Sequence, residues 1–203
     1  MIEIKPININ YLNEVIFIHK EAFKDHLNVH LGDLYLETFF KWFILNGKIN
    51  LIVKNENDIC GYIVGAEYGY QKKMSQDILV KAVVSILFSP KVFLLSGFWE
   101  NVYKRIKGVF FKAAQPNDRI LNKRIISLVG IGVKSKYYGT GLASKMFDEF
   151  EQLSKKSDFD VIRLSVYESN NRAIKFYINK GFEVTSKNNN LIIFKKNITS
   201  DTH

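Results

Sequence analysis

The chain has 203 residues, a length that suits one domain of generous size. Hydrophobic residues make up 47% of it and charged residues 24%, which excludes a disordered or fibrous protein. The formal net charge is +9, and most of it falls between Tyr70 and Arg124, where eleven basic and three acidic side chains give +8.

Three further features exclude other classes of protein. Cys60 is the single cysteine, so an intramolecular disulfide and a cysteine-based zinc site are both excluded. The first residues lack the charged-then-apolar order of a secretory signal. The longest uncharged run of the most apolar window is 82–90, far shorter than the roughly 20 residues that span a bilayer. We therefore expect a soluble, cytoplasmic protein that binds no metal.

Hydrophobic spacing predicts alternating strands and helices along the chain. Ile2 and Ile4 alternate as a first strand, and helical spacing follows from Leu12 and again from a cap at Asp33. The remaining predicted elements are the strands Leu51–Val53 and Ile59–Ala66, a basic helical insertion over 70–122, the buried strand Ile125–Val133, the helix Gly139–Lys155, the strand Val161–Val166, the helix Asn170–Lys180, and a hairpin of Glu183–Thr185 with Leu191–Phe194. The order β-α-α-β-β-(insert)-β-α-β-α-β-β predicts one α/β domain, 1–203, around a mixed sheet.

A glycine-rich turn lies between the buried strand and the helix that follows it. The sequence there is Tyr138-Gly139-Thr140-Gly141-Leu142-Ala143-Ser144. Free N–H groups and the helix dipole make such a helix start a natural site for a phosphate or pyrophosphate. A tight turn that needs glycine only for steric reasons is the alternative.

Two familiar phosphate-binding motifs do not fit this turn. No segment of the chain supplies the GxxxxGK[ST] pattern of a P-loop. A dinucleotide fingerprint requires a third Gly or Ala where this chain has Ser144, and an acidic residue at the end of the next strand, whereas Asp158 and Asp160 precede that strand. Neither nucleotide-binding fold is therefore expected.

Two segments resemble motifs of the GNAT acetyltransferase superfamily. The acetyl-CoA motif of that family, Gln/Arg-x-x-Gly-x-Gly/Ala, is matched by Gly141 and Ala143, while Tyr138 replaces the Gln or Arg. A second signature, Asn-x-x-Ala-x-x-x-Tyr-x-x-x-Gly-Phe, is matched in full from Asn170 to Phe182. The resemblance implies a GNAT-like fold, three layers around a central mixed sheet, and an acetyl-CoA-dependent N-acetyltransferase.

The resemblance also implies which residues hold acetyl-CoA. Backbone amides from Tyr138 to Ala143, together with Ser144, are expected at the pyrophosphate. The main chain of Ile131, Gly132 and Val133 is expected to run beside the pantetheine arm like an added strand. Asn170 is expected to contact the pantetheine and to cap its helix; a capping role alone is the alternative.

The same resemblance assigns a general acid but leaves the base open. Tyr177 takes the signature position from which a phenol donates a proton to the leaving CoA thiolate; one more core aromatic is the alternative. Ser165 and Ser127 stand where some relatives carry a carboxylate. Glu67 is the best carboxylate candidate for the base, and His26 and His30 come next. A chain of water molecules is the other route for the proton.

The basic insertion bears on the acceptor and on partners. A helical lid with a solvated lysine face, recognition of an anionic substrate and peripheral contact with an anionic membrane are the three interpretations. We expect a small-molecule acceptor such as an amino sugar or a nucleotide-linked amino sugar, and a monomer or homodimer. A protein or peptide acceptor is the alternative. Primary binding of nucleic acid through the insertion, which clustered basic residues favour, is the rival class but is not expected, because no nucleic-acid-binding motif is present.

Overall fold

A computed structural model describes residues 2–24, 29, 33–56, 58–77, 123–188 and 190–198. The chain divides into two compact units, Met1–Tyr68 with Asn122–His203, and Gly69–Leu121. In the second unit the described part of the chain is helical over 70–77, and the rest of the predicted insertion lies outside the described residues.

The first unit contains seven strands and four α-helices in its described part. In chain order these are β1 (Ile2–Pro6), α1 (Leu12–Ala22), α2 (Asp33–Asn46), β2 (Ile49–Asn55), β3 (Asp58–Glu67), β4 (Ile125–Val133), α3 (Leu142–Lys156), β5 (Val161–Tyr167), α4 (Asn171–Asn179), β6 (Glu183–Asn188) and β7 (Leu191–Asn197). This order matches the predicted one, and the fold class, a mixed α/β sheet, is confirmed.

The strands form one sheet in the order β1-β2-β3-β4-β5-β7-β6. Every neighbouring pair is antiparallel except β4 and β5, which are parallel and are joined through α3, as a parallel pair requires a crossover. Large apolar side chains of α3, among them Phe147 and Phe150, pack with Ile126 and Ile162 in one core. Helices α1 and α2 pack with each other, and α1 also packs on β3 and β4.

The predicted helix after β4 begins later than expected. Gly139 and Gly141 have φ values of 77° and 78°, which lie in the left-handed region rather than the helical one. The helix therefore starts at Leu142, with Gly141 as its N-cap. Asn8 caps the short turn before α1, while Tyr11 precedes α1 without a side-chain bond.

No helix in the described ranges is long and apolar enough to cross a membrane.

Candidate active site

The turn between β4 and α3 exposes a row of backbone N–H groups. Tyr138 and Thr140 donate theirs to Ser135 and Tyr137, at 3.0 and 3.4 Å. The first helical bond runs from the N–H of Lys145 to the carbonyl of Gly141, at 3.1 Å. In the part of the chain that the structure describes, the N–H groups of residues 139 and 141–144 therefore have no backbone acceptor. These five groups form what we call the amide cradle, which is narrower than predicted because Tyr138 and Thr140 bond within the turn.

Open space surrounds the two glycines of the cradle. A Cβ atom built at Gly139 or at Gly141 meets no heavy atom within 4 Å. The glycines are required by their left-handed backbone and not by crowding, since a side chain there would project away from the protein. The amide cradle is thus open to a bulky anion, and the positive end of the α3 dipole lies beneath it. Its residues fit a pyrophosphate group.

Asp58, at the start of β3, fixes the position of this turn. Its carboxylate forms ion pairs with Lys134 and with Lys136, the latter at 2.8 Å, and accepts a hydrogen bond of 3.1 Å from the hydroxyl of Tyr137. The hydrogen bonds from Lys134 and Lys136 lower the pKa of Asp58 from 3.8 to about 2. We call these four residues the Asp58 brace. The brace joins the turn between β4 and α3 to the β2–β3 hairpin.

Arg172 brings a cation to the residue that departs from the family motif. Its guanidinium lies 4.0 Å from the ring centroid of Tyr138, close enough for a cation–π contact. Arg172 is exposed in the first turn of α4. A positive charge therefore stands beside the amide cradle although residue 138 carries none. Sequence patterns alone did not single out Arg172. The absence of a Gln or Arg at position 138 is the one signal that could have prompted a search for a substitute cation.

The strands β4 and β5 separate in front of the cradle. Their paired register covers three residues of each strand and ends at Ser127 with Arg163. A β-bulge at Val64/Gly65 shifts the register of β3 on β4 between Leu128 and Gly130, and bulges bend a strand away from its neighbour. Among the described residues, the edge of β4 from 128 to 133 consequently has no strand beside it on the β5 side. This free edge includes Ile131, Gly132 and Val133.

Asn170 occupies the start of α4 as the sequence predicts. Its side-chain oxygen accepts a hydrogen bond of 3.0 Å from the N–H of Ala173, so its capping role is present in the structure. The amide nitrogen of its side chain is a donor that this cap leaves available. Contact with pantetheine stays a prediction.

Tyr177 is buried among aromatic side chains of the core. Its ring lies 5.4 Å from that of Phe182 and 6.2 Å from that of Phe194, and 6% of the residue is exposed. Burial raises the pKa of Tyr177 well above its ordinary value of 10.0, since a low-dielectric site disfavours the phenolate. The hydroxyl is thus held in the protonated form that a general acid requires.

A second buried tyrosine, Tyr62 on β3, reaches across the same part of the sheet. A Cβ atom at Gly132 would lie 2.6 Å from the Tyr62 ring, and one at Gly130 would lie 3.4 Å from its hydroxyl. The Tyr62 ring therefore occupies the space that a side chain at residue 132 would need, so only glycine fits at that position. Burial raises the pKa of Tyr62 well above 10.0, and Tyr177 raises it further.

His19 on α1 is bonded to Tyr62. The Nδ1 atom of His19 lies 2.6 Å from the hydroxyl oxygen of Tyr62, in a buried contact. The rings of Phe23 and Phe40 pack against the imidazole at 4.8 and 5.2 Å. This pair was not predictable from sequence patterns, because each residue follows the apolar pattern of its own element and 43 positions separate them.

The residues predicted as bases lie apart from this arrangement or outside the described residues. Glu67 is 61% exposed, 3.6 Å from Lys48, and pairs in register with Ile126 near the start of β4, at the opposite end of that strand from the cradle. Ser127 is buried and Ser165 is exposed. His26 and His30 fall outside the described residues. The described ranges contain no group of three or more His, Cys, Asp or Glu placed to hold a metal ion.

A sequence model of the acetyltransferase (GNAT) family matches residues 13–182. A search of curated proteins finds no match.

Three solved structures illustrate the likeness of the fold. Arylalkylamine N-acetyltransferase 2 from Aedes aegypti is 16% identical over 98% of this chain and 99% of its own, with a TM-score of 0.66. PaiA N-acetyltransferase from Thermoplasma acidophilum, in complex with coenzyme A, is 16% identical over 97% and 99%, with a TM-score of 0.58. The ribosomal-protein-S18-alanine N-acetyltransferase from Escherichia coli is 14% identical over 100% and 99%, with a TM-score of 0.58.

At these identities the structures establish the fold, while the family match covers most of the chain. The chain therefore belongs to the acetyltransferase (GNAT) family, as the two sequence motifs imply.

Proposed function

We propose that this protein is an acetyl-CoA-dependent N-acetyltransferase that moves an acetyl group to a primary amine by direct attack. The observation that carries the proposal is the continuity of the free edge of β4 with the amide cradle. The edge offers main-chain hydrogen-bond partners to an extended pantetheine arm. The amide cradle comes after this edge in the chain, where the pyrophosphate at the end of that arm would lie. The complex of PaiA with coenzyme A supports this choice of donor.

Each part of the site has a distinct task in this function. The N–H groups of residues 139 and 141–144 bind the pyrophosphate, and Arg172 adds a charge beside them. The amide nitrogen of Asn170 is available to a pantetheine oxygen. Tyr177 donates its proton to the thiolate that forms when the amine nitrogen replaces sulfur at the acetyl carbon, and its raised pKa keeps that proton available at neutral pH.

For the acceptor, we propose a small amine with an anionic part, such as an amino sugar phosphate or a nucleotide-linked amino sugar. The support is the concentration of positive charge in 70–122, where eleven of the 29 basic residues fall if Lys123 and Arg124 are included. A peptide N-terminus is the second candidate, since the chain shares its fold with the enzyme that acetylates an alanine of ribosomal protein S18. The chemistry of the site is the same for both.

Two measurements test the proposal in sequence. Acetyl-CoA should raise the melting temperature of the purified protein, since a ligand that binds only the folded state stabilises it, whereas duplex DNA should not. Release of free thiol is then measured with glucosamine 6-phosphate, UDP-glucosamine, spermidine, tryptamine and peptides that begin with Ala or Met. Stabilisation by DNA in place of acetyl-CoA would contradict the proposed function.

A further inference from the structure

We propose that Arg163 binds an oxyanion of the acceptor, a phosphate or a carboxylate, and thereby selects amines that carry such a group. This inference rests on the proposed function and names the side chain that recognises the anionic part of the acceptor. It depends on the unpaired state of the guanidinium, on its place where β4 and β5 separate, and on the open face of β5 beside it.

The guanidinium of Arg163, on β5, is buried without acceptors for two of its nitrogens. Only 6% of the residue is exposed. Its Nε and Nη2 atoms are buried and have no hydrogen-bond partner among the described residues. A buried donor without an acceptor is costly, and more so when the donor carries a charge. A ligand that supplies acceptors to these two nitrogens would therefore be bound strongly.

The two unpaired nitrogens form one edge of the guanidinium. Their N–H groups point in parallel, the geometry that binds two oxygens of a carboxylate or a phosphate at once. The hydroxyl of Ser127 is also buried without a hydrogen-bond partner in the described part of the chain. Ser127 is paired in register with Arg163, on a strand about 4.8 Å away. The site thus offers three hydrogen-bonding groups to one oxyanion.

Arg163 lies near the place where the acceptor would meet the thioester. The pair of Ser127 with Arg163 is the last between β4 and β5, so a pantetheine arm that follows the free edge of β4 from the amide cradle ends close to this pair. Ile162 and Leu164 belong to the apolar core that α3 covers. Because side chains alternate along a strand, Arg163 faces the other side of the sheet, where a polar acceptor can be held.

The face of β5 that carries Arg163 is open next to it. Ser165, the following residue on this face, is exposed, and Tyr167 after it is 41% exposed. On the other side of the guanidinium, the ring centroid of Tyr68 lies 5.1 Å from the Cζ atom of Arg163, and Tyr68 is itself partly exposed. An acceptor can therefore reach Arg163 along the face of β5 from Ser165, and the oxyanion is then bound away from water, where opposite charges attract strongly.

The stability of Arg163→Met separates this role from a structural one. An arginine that holds the fold would be missed when it is replaced, whereas removal of a buried charge without a partner is neutral or stabilising. Without ligand, the melting temperature of Arg163→Met should therefore not lie below that of Arg124→Met. Arg124 is the matched control because it also lies 5.1 Å from a ring, that of Phe159, but it is exposed and lies 3.8 Å from Asp158.

Thiol release with matched amines measures the selection itself. The kcat/KM of the wild type should be about a hundredfold higher for glucosamine 6-phosphate than for glucosamine, or for 6-aminohexanoate than for hexylamine, as expected of two hydrogen bonds to a charged group. This ratio should fall to near one in Arg163→Met and to an intermediate value in Arg163→Lys, which keeps the charge but not the planar fork. The ratio of Arg124→Met should stay that of the wild type. The pair of amines with the large ratio identifies the oxyanion as phosphate or carboxylate.

A second measurement tests binding without turnover. Inorganic phosphate or acetate is added in the presence of CoA, which is expected to fill the amide cradle. At least one of the two anions should raise the melting temperature of the wild type and of Arg124→Met, since a ligand of the folded state stabilises it. Neither anion should raise that of Arg163→Met.

The outcomes separate the role of Arg163 from the function on which it rests. Thiol release by the wild type with no amine would refute the proposed function, and the binding of an acceptor by Arg163 with it. Turnover by the wild type with a ratio for Arg163→Met within threefold of the wild-type ratio would refute the role of Arg163 alone. So would a melting temperature of Arg163→Met well below that of Arg124→Met, because the arginine would then hold the fold.

Discussion

The guanidinium of Arg172 should contribute about tenfold to the affinity for acetyl-CoA. Arg172 lies on the ring of Tyr138 at 4.0 Å, and Tyr138 begins the turn that carries the amide cradle. Two unit charges about 6 Å apart in a water-like medium interact by about 0.7 kcal/mol. A pyrophosphate with two negative charges doubles that figure to about 1.4 kcal/mol, which corresponds to about tenfold in Kd.

Three variants separate the charge of Arg172 from its stacking on Tyr138. Arg172→Ala removes both and should raise the Kd by the full factor. Arg172→Lys keeps the charge but loses the planar group that matches the ring, so its Kd should lie between those of the wild type and Arg172→Ala. Tyr138→Ala removes the ring that orients the guanidinium and should resemble Arg172→Lys. Arg124→Ala is the matched control, because Arg124 also lies over a ring, that of Phe159 at 5.1 Å, but precedes β4 at the end away from the cradle.

Isothermal titration of each variant with acetyl-CoA at low and at high salt provides the measurement. Since Arg172 is exposed, the difference between wild type and Arg172→Ala should shrink at high salt, where charges more than a few ångströms apart are screened. A Kd for Arg172→Ala within twofold of the wild type at low salt would refute the reasoning. So would an equal loss in Arg124→Ala, since the effect would then not depend on nearness to the cradle.

Three further predictions concern the acid, the glycine turn and the brace. Tyr177→Phe should lower turnover about a hundredfold with an unchanged Kd for acetyl-CoA. Turnover equal to that of Tyr35→Phe, a control that removes a buried phenol hydroxyl on α2, would remove Tyr177 as the acid. Gly141→Ala and Gly141→Glu both impose about 1–2 kcal/mol of left-handed strain, but only Gly141→Glu should abolish binding, and equal losses would assign the effect to strain. Because the pKa of Asp58 is lowered from 3.8 to about 2, its carboxylate stabilises the fold above pH 3.8, and this contribution is lost as the pH falls through 2. The gap in melting temperature between wild type and Asp58→Asn should therefore narrow over that interval; a gap that stays constant would contradict the role of the brace.

Local patterns were enough to predict the element order and the place of the cradle. A continuous apolar strand, two glycines and a helical repeat occupy consecutive residues from Ile125 onward, so each constrains the next. The predicted strand Ile125–Val133 agrees with β4 at both ends. The helix after it was placed three residues too early, because the pattern of side chains does not reveal that Gly141 is left-handed.

The part of the site that joins distant segments was not predictable in the same way. Tyr62 and His19 meet only because α1 lies on the face of the sheet to which β3 turns Tyr62. A one-residue change of register would place Tyr62 on the other face. The bulge between Val64 and Gly65 alters that register locally, and the residue types of the strand do not predict the bulge. Single-chain patterns therefore identify the tyrosine of the signature helix but not a contact between two side chains that is assembled across elements.

The charges around the cradle also show why the net charge of the chain does not measure its attraction for an anion. Lys134 and Lys136 follow β4 directly and would be counted as phosphate ligands from sequence. The structure pairs both with Asp58, so one carboxylate offsets half of their charge and both lysines help to hold the turn. Among the described residues, the amide cradle, the dipole of α3 and the guanidinium of Arg172 lie at this turn and are not used by the brace. Substitution of Arg172 therefore measures how much one side-chain charge adds to the attraction that the backbone supplies.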